Sequence, residues 1–206
     1  LYTKKNDGRY KARTVLSAGK GALDQLDIGY ERTYSPTARE STFRLLCNIA
    51  AIERMTIRGG DVKQAYAQAH WPQQLKKVLS RLPSGYKMYF DGKTYCCEVG
   101  NLYGHVIAGK NWYQTLVAWL LAYGFTQSEW DPCYFYIVDD NGHRMHFLVY
   151  VDDVLTFTAS DDLYQRFAAA FSADFDWTSY GSDLHDYVSI RIRQRPGEVS
   201  LDMEEY

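Results

Sequence analysis

The sequence predicts an α+β fold that combines an antiparallel sheet with helices. Apolar stripes at helical spacing occur among short β-branched and aromatic runs, in the order β–α–β–(β)–α–β–β–α–β. An Asn141-Gly142 pair stands between two of these runs, as it does in a tight hairpin. Strands that follow one another directly in this way, mixed with helices, are typical of the α+β class.

The first elements are a basic hairpin and a helix. Residues 1–18 are expected to form a hairpin that turns near Asn6-Asp7-Gly8. Ser35 and Pro36 then offer an N-cap and a first-turn proline to a helix. The apolar stripe of this helix is predicted to consist of Leu45, Leu46, Ile49, Ile52 and Met55.

The middle of the chain is predicted to hold two strands and a second helix. The first strand covers residues 55–61 and the second covers residues 95–99. A helix over residues 111–123 follows, with Gly124 as the residue just after its end. One face of this helix is predicted to consist of Trp112, Leu116, Trp119, Leu120 and Tyr123.

The C-terminal part reads as a meander followed by a helix and a closing hairpin. Strands over residues 133–138 and 146–151 are expected to pair across the Asn-Gly turn, and another strand follows over residues 154–158. Ser160 is the predicted N-cap of the third helix. Residues 187–202 are expected to form the last hairpin.

Charge is distributed unevenly along the 206 residues, although the net charge is only −2. Residues 1–20 hold six basic side chains against one acid, and residues 151–186 hold eight aspartates against one base. A basic arm and an acidic patch suit a protein that binds phosphates and metal. Two solvated faces explain the same distribution equally well.

The cysteines and the apolar runs indicate an intracellular protein. The four cysteines have no zinc-type spacing, and we expect them to be reduced core residues. The sequence contains neither a signal peptide nor an apolar run of 18 residues. Because it begins at Leu1 and stops at Tyr206 within a pattern, we interpret it as a piece of a longer protein.

Two adjacent aspartates, Asp152 and Asp153, stand between two strongly apolar strands. Like charges this close repel each other unless a cation neutralises them. Asp61 ends another predicted strand after two glycines, so three carboxylates could converge and bind two Mg²⁺ ions, which prefer oxygen ligands. Two such ions support phosphoryl displacement. A purely structural hairpin turn also accounts for the aspartate pair.

Two motifs resemble those of reverse transcriptases, namely YVDD at residues 150–153 and DVKQAY at residues 61–66. Other segments resemble those of the Ty1/copia retrotransposon type, in the same order along the chain. These segments are GRYKARTVLSAG (8–19), IGYERTYSPTARESTFRLL (28–46), NLYGHVIAGKNWY (101–113), YGFTQSEWDPCYFY (123–136) and LHDYVSIRI (184–192). The similarity is colinear over almost the whole chain and is therefore more specific than either motif alone.

The resemblance implies a polymerase right hand, with residues 1–206 as a fingers–palm core and an antiparallel palm sheet backed by helices. It implies a piece of a Pol polyprotein without the thumb, RNase H, integrase or protease segments. The implied activity is RNA-directed DNA polymerisation with two Mg²⁺ ions, which Mn²⁺ could replace. The implied partners are an RNA template, a DNA primer or template, dNTPs and the other polyprotein domains. The implied location is a cytoplasmic virus-like particle or the nucleus, without a membrane.

The resemblance also assigns roles to individual residues. Asp61, Asp152 and Asp153 would be the catalytic, metal-binding carboxylates, with Asp153 the less direct ligand. Tyr66 would stack under the nucleotide sugar and exclude a 2′-hydroxyl, and Tyr150 would lie under the primer end. The fingers residues that would neutralise the triphosphate are Lys11 and Arg13. Arg39 matches a family arginine to which we assign no role.

Structural roles are alternatives for the same side chains. Tyr66 could be an ordinary core residue, and Tyr150 could be a packed strand tyrosine. Lys11 and Arg13 could be the solvated charges of an edge strand. A protein-binding domain with an incidental Asp-Asp turn is a third interpretation of the whole chain.

Several positions depart from the Ty1/copia pattern. Ile107 and Gly109 lie where the pattern has Gln and Pro, and Ile107 cannot donate a hydrogen bond to a nucleotide. Ser17 replaces a fingers arginine, Ser189 replaces the primer-grip glycine, and Gly59-Gly60 replaces apolar or amide residues. These departures motivate an alternative function, a degenerate or repurposed domain that binds nucleic acid without polymerising.

Overall fold

A computed structural model describes residues 2–4, 8, 10–12, 15, 33–73, 78–81, 96–182 and 187–203. The chain divides into two compact units, the first formed by residues 1–35 and 66–115 and the second by residues 36–65 and 116–206. The described part is a mixture of helices and antiparallel strands, so the predicted α+β class is confirmed.

The first unit contains two antiparallel strand pairs. Strand β1 (Tyr2–Lys4) pairs with β2 (Tyr10–Ala12), which confirms the predicted basic hairpin. Strand β4 (Val78–Arg81) pairs with β5 (Cys96–Val99). Ser17 lies outside the described residues.

The second unit is built around a six-stranded antiparallel sheet. Its strands lie in the order β10-β3-β9-β8-β7-β6. Their bounds are β3 (Thr56–Val62), β6 (Thr126–Gln127), β7 (Tyr134–Val138), β8 (Arg144–Tyr150), β9 (Asp153–Thr158) and β10 (Trp177–Gly181). A separate hairpin pairs β11 (Arg191–Arg195) with β12 (Glu198–Asp202). The predicted meander and closing hairpin are thus confirmed, whereas β6 and β10 were not predicted.

Four helices complete the described elements. They are α1 (Glu40–Ile52), α2 (Ala65–Gln68), α3 (Ala108–Tyr123) and α4 (Asp161–Asp174). Ser160 caps α4 as predicted, because its hydroxyl accepts the Leu163 N–H at 3.2 Å. Gly124 ends α3 with a φ of 113°, which is the left-handed conformation expected after a helix. None of the helices in the described part of the chain is long and apolar enough to cross a membrane.

The predicted start of helix α1 was wrong. The helix begins at Glu40, after Arg39 as N-cap, and not at Ser35-Pro36. The reason is a distant carboxylate, since the Arg39 N–H donates to Asp131 Oδ2 at 2.9 Å. Ser35 instead donates its hydroxyl hydrogen to the Gly109 carbonyl at 3.2 Å. A long-range hydrogen bond therefore replaces the local cap.

The two faces of the sheet bury different cores. One face packs its central residues Leu148, Leu155 and Phe157 against α1 and the β11–β12 hairpin. The other face presents Phe147 to Phe167 and Phe171 of α4, with ring centroids 5.7 and 6.4 Å apart. A sheet covered on both faces holds its strand register firmly, since a shift of one residue would exchange the two cores.

The predicted core stripe of α1 was wrong in part. Leu46 and Met55 are buried, but Leu45 is 58% exposed and Ile52 is 80% exposed. The helix buries Phe43, Leu46, Cys47 and Ala50 instead. The prediction assigned the largest aliphatic residues to the core. In the structure, the face of α1 that packs on the sheet carries a phenylalanine and two small side chains instead.

Buried cysteines fit the predicted reduced state. Cys47 and Cys133 are free thiols in the second unit. Burial raises the pKa of each thiol to about 12, and the charge of Asp131 contributes at Cys133. Both therefore stay protonated and behave as small apolar core residues.

Candidate active site

Asp61 and Asp153 lie directly opposite each other on neighbouring strands. The antiparallel register of β3 and β9 pairs these two residues, and Tyr150 of β8 pairs with Asp153 on the other side. Residues paired across a sheet point to the same face, with Cβ atoms about 4.5–5.5 Å apart. The fold therefore brings together two carboxylates that are far apart in the sequence.

Asp152 joins them through a tight turn between β8 and β9. Tyr150 and Asp153 close a two-residue turn made of Val151 and Asp152. Val151 has a φ of 59°, an uncommon left-handed conformation for a β-branched residue. The Asp152 carbonyl accepts the Val62 N–H at 2.9 Å, which ties the turn to β3 just beyond Asp61. We call Asp61, Asp152 and Asp153 the aspartate triad.

Negative charge accumulates at the aspartate triad. Burial, and then the charges of Asp152 and Asp61, raise the pKa of Asp153 from 3.8 to about 6. Among the described residues, no three His, Cys, Asp or Glu side chains already form a metal-binding group. The backbone thus gathers the three aspartates at one corner of the sheet, where their charges repel each other.

Close packing beside Asp61 explains the glycine at position 60. A Cβ atom at Gly60 would lie 2.5 Å from Cε3 and Cζ3 of Trp177 and 2.9 Å from the Thr178 carbonyl oxygen. Trp177 occupies this space, with its ring edge-on to Phe171 and its indole N–H donating to Ser172. The glycine therefore allows β10 to pair with β3 at the position of Asp61.

Two phenols near the aspartate triad were missed by the sequence analysis. Burial and the charges of all three aspartates raise the pKa of Tyr180, which is 46% exposed at a bulge of the edge strand β10. Burial and the charge of Asp153 raise the pKa of Tyr187, which lies below the sheet face. Tyr180 lies in no segment singled out in the sequence, and Tyr187 lies in LHDYVSIRI without a role of its own, because both come near the aspartates only through strand pairing and packing.

Comparison with known proteins identifies the family of the chain that carries this carboxylate arrangement. A family model described as "Reverse transcriptase (RNA-dependent DNA polymerase)" matches residues 1–206, the full length of the chain. The chain belongs to the reverse transcriptase family. The chain is also similar to retrovirus-related Pol polyproteins from transposons RE2 and RE1 of Arabidopsis thaliana, at 29% identity to each, and from transposon TNT 1-94 of Nicotiana tabacum, at 24%.

These relatives confirm the predicted reverse transcriptase of the Ty1/copia type. Each alignment covers 100% of the chain, but only 14% of the two Arabidopsis polyproteins and 16% of the tobacco one. The chain therefore spans about one-seventh of the length of the curated relatives it matches. No solved structure matches it.

The nucleotide-binding residues predicted for this reverse transcriptase lie in the first unit. Lys11 lies in β2 opposite Thr3, and Arg13 lies outside the described residues. Tyr66 is half-buried on α2, with its ring centroid 4.9 Å from that of Tyr103. The roles of all three remain predictions.

Among the positions that depart from the reverse transcriptase pattern, Ile107 is the one whose structural role is clearest. Its side chain is only 2% exposed, so it is packed into the first unit. Its carbonyl accepts the Asn111 N–H at 2.9 Å as helix α3 begins. At Gly109, an added Cβ would meet nothing closer than 3.5 Å. Position 107 thus serves as a core position at the start of α3 and presents no hydrogen-bonding side chain.

Asp131, in the Asp-Pro-Cys segment of this reverse transcriptase, acts as a structural anchor. It is buried and accepts two backbone N–H groups, from Arg39 at 2.9 Å and from Cys133 at 2.9 Å. The carboxylate therefore fixes the N-terminus of α1 to the loop before β7, where the helix dipole favours negative charge. Arg39, to which we assigned no role, contributes its backbone N–H to this contact, while the residue itself is exposed.

Proposed function

We propose that the chain is an RNA-directed DNA polymerase: a primer 3′-hydroxyl, on an RNA or DNA template, attacks the α-phosphate of a dNTP, the nucleotidyl group is transferred to the primer, and pyrophosphate leaves. One observation carries this proposal: β3 and β9 place Asp61 opposite Asp153, and the intervening turn places Asp152 beside them. Membership of the reverse transcriptase family supports it. The names of the relatives, as Pol polyproteins of transposons, support a role within a retrotransposon polyprotein.

The aspartate triad suits divalent cations by its donor chemistry. It offers three carboxylates, oxygen ligands of the kind that Mg²⁺ prefers, on two strands and a turn that are fixed by backbone hydrogen bonds. The raised pKa of Asp153 fits this role. Part of the rise comes from repulsion by the charges of Asp152 and Asp61, and a bound cation would remove that repulsion. We therefore propose that Asp61, Asp152 and Asp153 hold two Mg²⁺ ions, with Mn²⁺ as a substitute. When bound, such ions stabilise the attacking and leaving oxygens of a phosphoryl transfer.

The remaining predicted residues would bind the substrates. Tyr150, which lies beside Asp153 and is partly packed on the core, would support the primer end. Tyr66 would contact the nucleotide sugar, and Lys11 and Arg13 would neutralise its triphosphate. Because base pairing selects the nucleotide, the protein would contact mainly the nucleic acid backbone.

The proposal extends to the setting of the enzyme. The two units would correspond to the fingers and palm of a polymerase right hand, within residues 1–206. RNase H and integrase domains of the same polyprotein would be its partners. The expected location is a cytoplasmic virus-like particle or the nucleus.

Primer extension on a homopolymer RNA template tests the activity directly. The chain would be assayed alone and inside a longer Pol polypeptide, with and without Mg²⁺. We expect Mg²⁺-dependent extension that falls by at least about a thousandfold in Asp152→Asn, because each carboxylate of a metal site is required. Asp140→Asn, which removes an exposed carboxylate of a distant hairpin turn, is the matched control and should leave extension intact. Equal extension by both variants would refute the assigned role of Asp152.

Ile107 favours a second candidate function, a domain that binds nucleic acid without polymerising. Its buried aliphatic side chain lies where the family pattern has an amide that helps to hold the nucleotide. In this case a primer–template duplex would bind with strong salt dependence, since the contacts are to phosphates, while no extension would occur in any metal. Filter binding and extension on the same duplex separate the two functions.

A further inference from the structure

Tyr187 carries a buried hydroxyl group with no hydrogen-bond partner in the described part of the chain. The residue is only 4% exposed, and its oxygen is fully enclosed. Burying a hydroxyl without a partner costs stability, so a phenylalanine at this position would serve the core better. An unsatisfied buried group of this kind calls for an explanation, and a functional role is one of the known ones.

The ring of Tyr187 is held below the sheet face that carries the aspartate triad. It packs in the core with Leu148 and Leu155, which lie two residues from Tyr150 and Asp153 along their strands. Side chains two residues apart on a strand share a face, so Tyr187 lies on the face of Asp153. On the other side, its ring centroid is 5.1 Å from that of Phe43 in α1.

A strained turn fixes the position of this ring. Tyr187 and Ile190 exchange two backbone hydrogen bonds, of 2.8 and 2.9 Å. Val188 and Ser189 between them both have positive φ angles, 48° and 65°, although neither is glycine. Such strain persists only where the surrounding structure holds it in place, and it is common at functional sites.

Asp153 is the carboxylate that shares the sheet face of Tyr187, because it lies two residues from Leu155, against which the Tyr187 ring packs. Burial is the main cause of the raised pKa of Tyr187, and among the charges that add to it Asp153 comes before Cys133, Asp131 and Tyr150. The two oxygens of Asp131 each already accept a backbone N–H. The Cys133 thiol is a weak hydrogen-bonding group, so Asp153 is the stronger acceptor.

We propose that Tyr187 is a positioning residue, whose hydroxyl donates a hydrogen bond to the Asp153 carboxylate when a divalent cation draws the aspartate triad together. This inference rests on the proposed function, because it assumes that the triad binds cations. The hydrogen bond selects the side-chain rotamer of Asp153 that shares the cation with Asp61 and Asp152. Groups that orient metal ligands in this way typically change metal affinity by about 10- to 100-fold.

Mn²⁺ binding to the metal-free chain, measured by calorimetry, tests the inference without requiring catalysis. We expect Tyr187→Phe to weaken Mn²⁺ binding by about tenfold. Its urea midpoint should stay unchanged or rise, because the substitution removes an unsatisfied hydroxyl. The matched control is Tyr164→Phe, which removes a buried hydroxyl that is 2.7 Å from Ser179 Oγ. This control should lower the urea midpoint and leave Mn²⁺ affinity unchanged.

Two outcomes would overturn the inference. The first is an Mn²⁺ affinity of Tyr187→Phe equal to that of the unmodified chain. The same conclusion follows if Asp152→Asn also leaves Mn²⁺ binding unchanged, because the aspartate triad then does not bind Mn²⁺. The second is a urea midpoint lowered as much as in Tyr164→Phe, which would show that the hydroxyl has a structural partner. Tight Mn²⁺ binding that depends on Tyr187, together with no primer extension, would leave this inference standing and refute the polymerase function.

Discussion

At the scale of single residues, the main property of the candidate site is that a partly buried carboxylate lies next to two others. Asp153 is partly buried in a strand and faces two further carboxylates, and this combination raises its pKa to about 6. A surface carboxylate in a hairpin turn would not experience such repulsion. The role of the aspartate pair as a metal site stays a prediction, and the charge gathered at Asp153 is the property that experiments can test.

The raised pKa of Asp153 predicts how stability depends on pH in the absence of divalent cations. The folded state binds the proton more tightly than the unfolded state, so the stabilisation is complete below about pH 4 and is lost as the pH rises through about 6. We expect a loss of about 1–2 kcal/mol, after allowing for solvent screening of a partly exposed carboxylate. Urea unfolding in EDTA across this range measures the effect.

Two variants make this pH measurement specific. Asp153→Asn should remove most of the decrease in stability between about pH 4 and pH 7, because an amide does not titrate. Asp140→Asn, at an exposed hairpin position, should retain the decrease. If Asp153→Asn loses stability with rising pH as steeply as the unmodified chain, another group controls the transition.

At the scale of secondary-structure elements, the edge strand β10 stabilises the strand that carries Asp61. It pairs with β3 from Trp177 to Gly181, and its tryptophan fills the space above Gly60. Because of this tight fit, the residue that β3 can carry at position 60 depends on the residue that β10 carries at position 177. Gly59-Gly60 departs from the family pattern of apolar or amide residues, and Trp177, which packs on Gly60, lies more than one hundred residues away in the sequence.

Gly60→Ala should therefore destabilise the protein by about 1–3 kcal/mol, because the new methyl group overlaps the Trp177 ring and the Thr178 carbonyl. Gly109→Ala is the control, since its Cβ would make only ordinary contacts and alanine favours a helix by about 1 kcal/mol over glycine. Urea unfolding compares the two variants. Combining Gly60→Ala with Trp177→Leu should recover part of the loss, and strict additivity of the two changes would contradict the proposed packing.

At the scale of the whole molecule, the described fold consists of two units, and the aspartate triad lies entirely within the second. The central strands of this unit have hydrogen-bonded neighbours on both sides, whereas β10 and β6 form the edges of the sheet. Both sheet faces are buried, one against α1 and the other against α4. The triad is thus attached to the most protected part of the unit.

Hydrogen exchange should reflect this arrangement. We expect the slowest amides in β3, β8 and β9, with opening free energies close to that of global unfolding, and faster exchange in β10 and β6. Exchange measured by NMR in the metal-free chain tests the order. Protection of β10 equal to that of β9 would indicate that its outer edge is covered by another segment.

The class of fold and most elements were predictable because their signals are local. The Asn-Gly turn, the Ser160 cap and the apolar strands depend on residues close in sequence. The start of α1 depends instead on Asp131, 92 positions from Arg39, so no local pattern could reveal it. The aspartates of the site were identified through motifs, whereas Tyr180 and Tyr187 required the register of β10 and the packing of the Tyr187–Ile190 turn.

The pairing of Asp61 with Asp153 also determines which changes in chain length the protein can tolerate. One residue inserted between Ile57 and Asp61 would turn Asp61 to the opposite sheet face, towards the phenylalanines packed on α4. Insertions in the exposed turn around Asp140 leave the two strands in register. Insertion scanning should therefore find two short segments in which an added residue is not tolerated, one just before Asp61 and one just before Asp153. The turns of the long segment between them should accept extra residues.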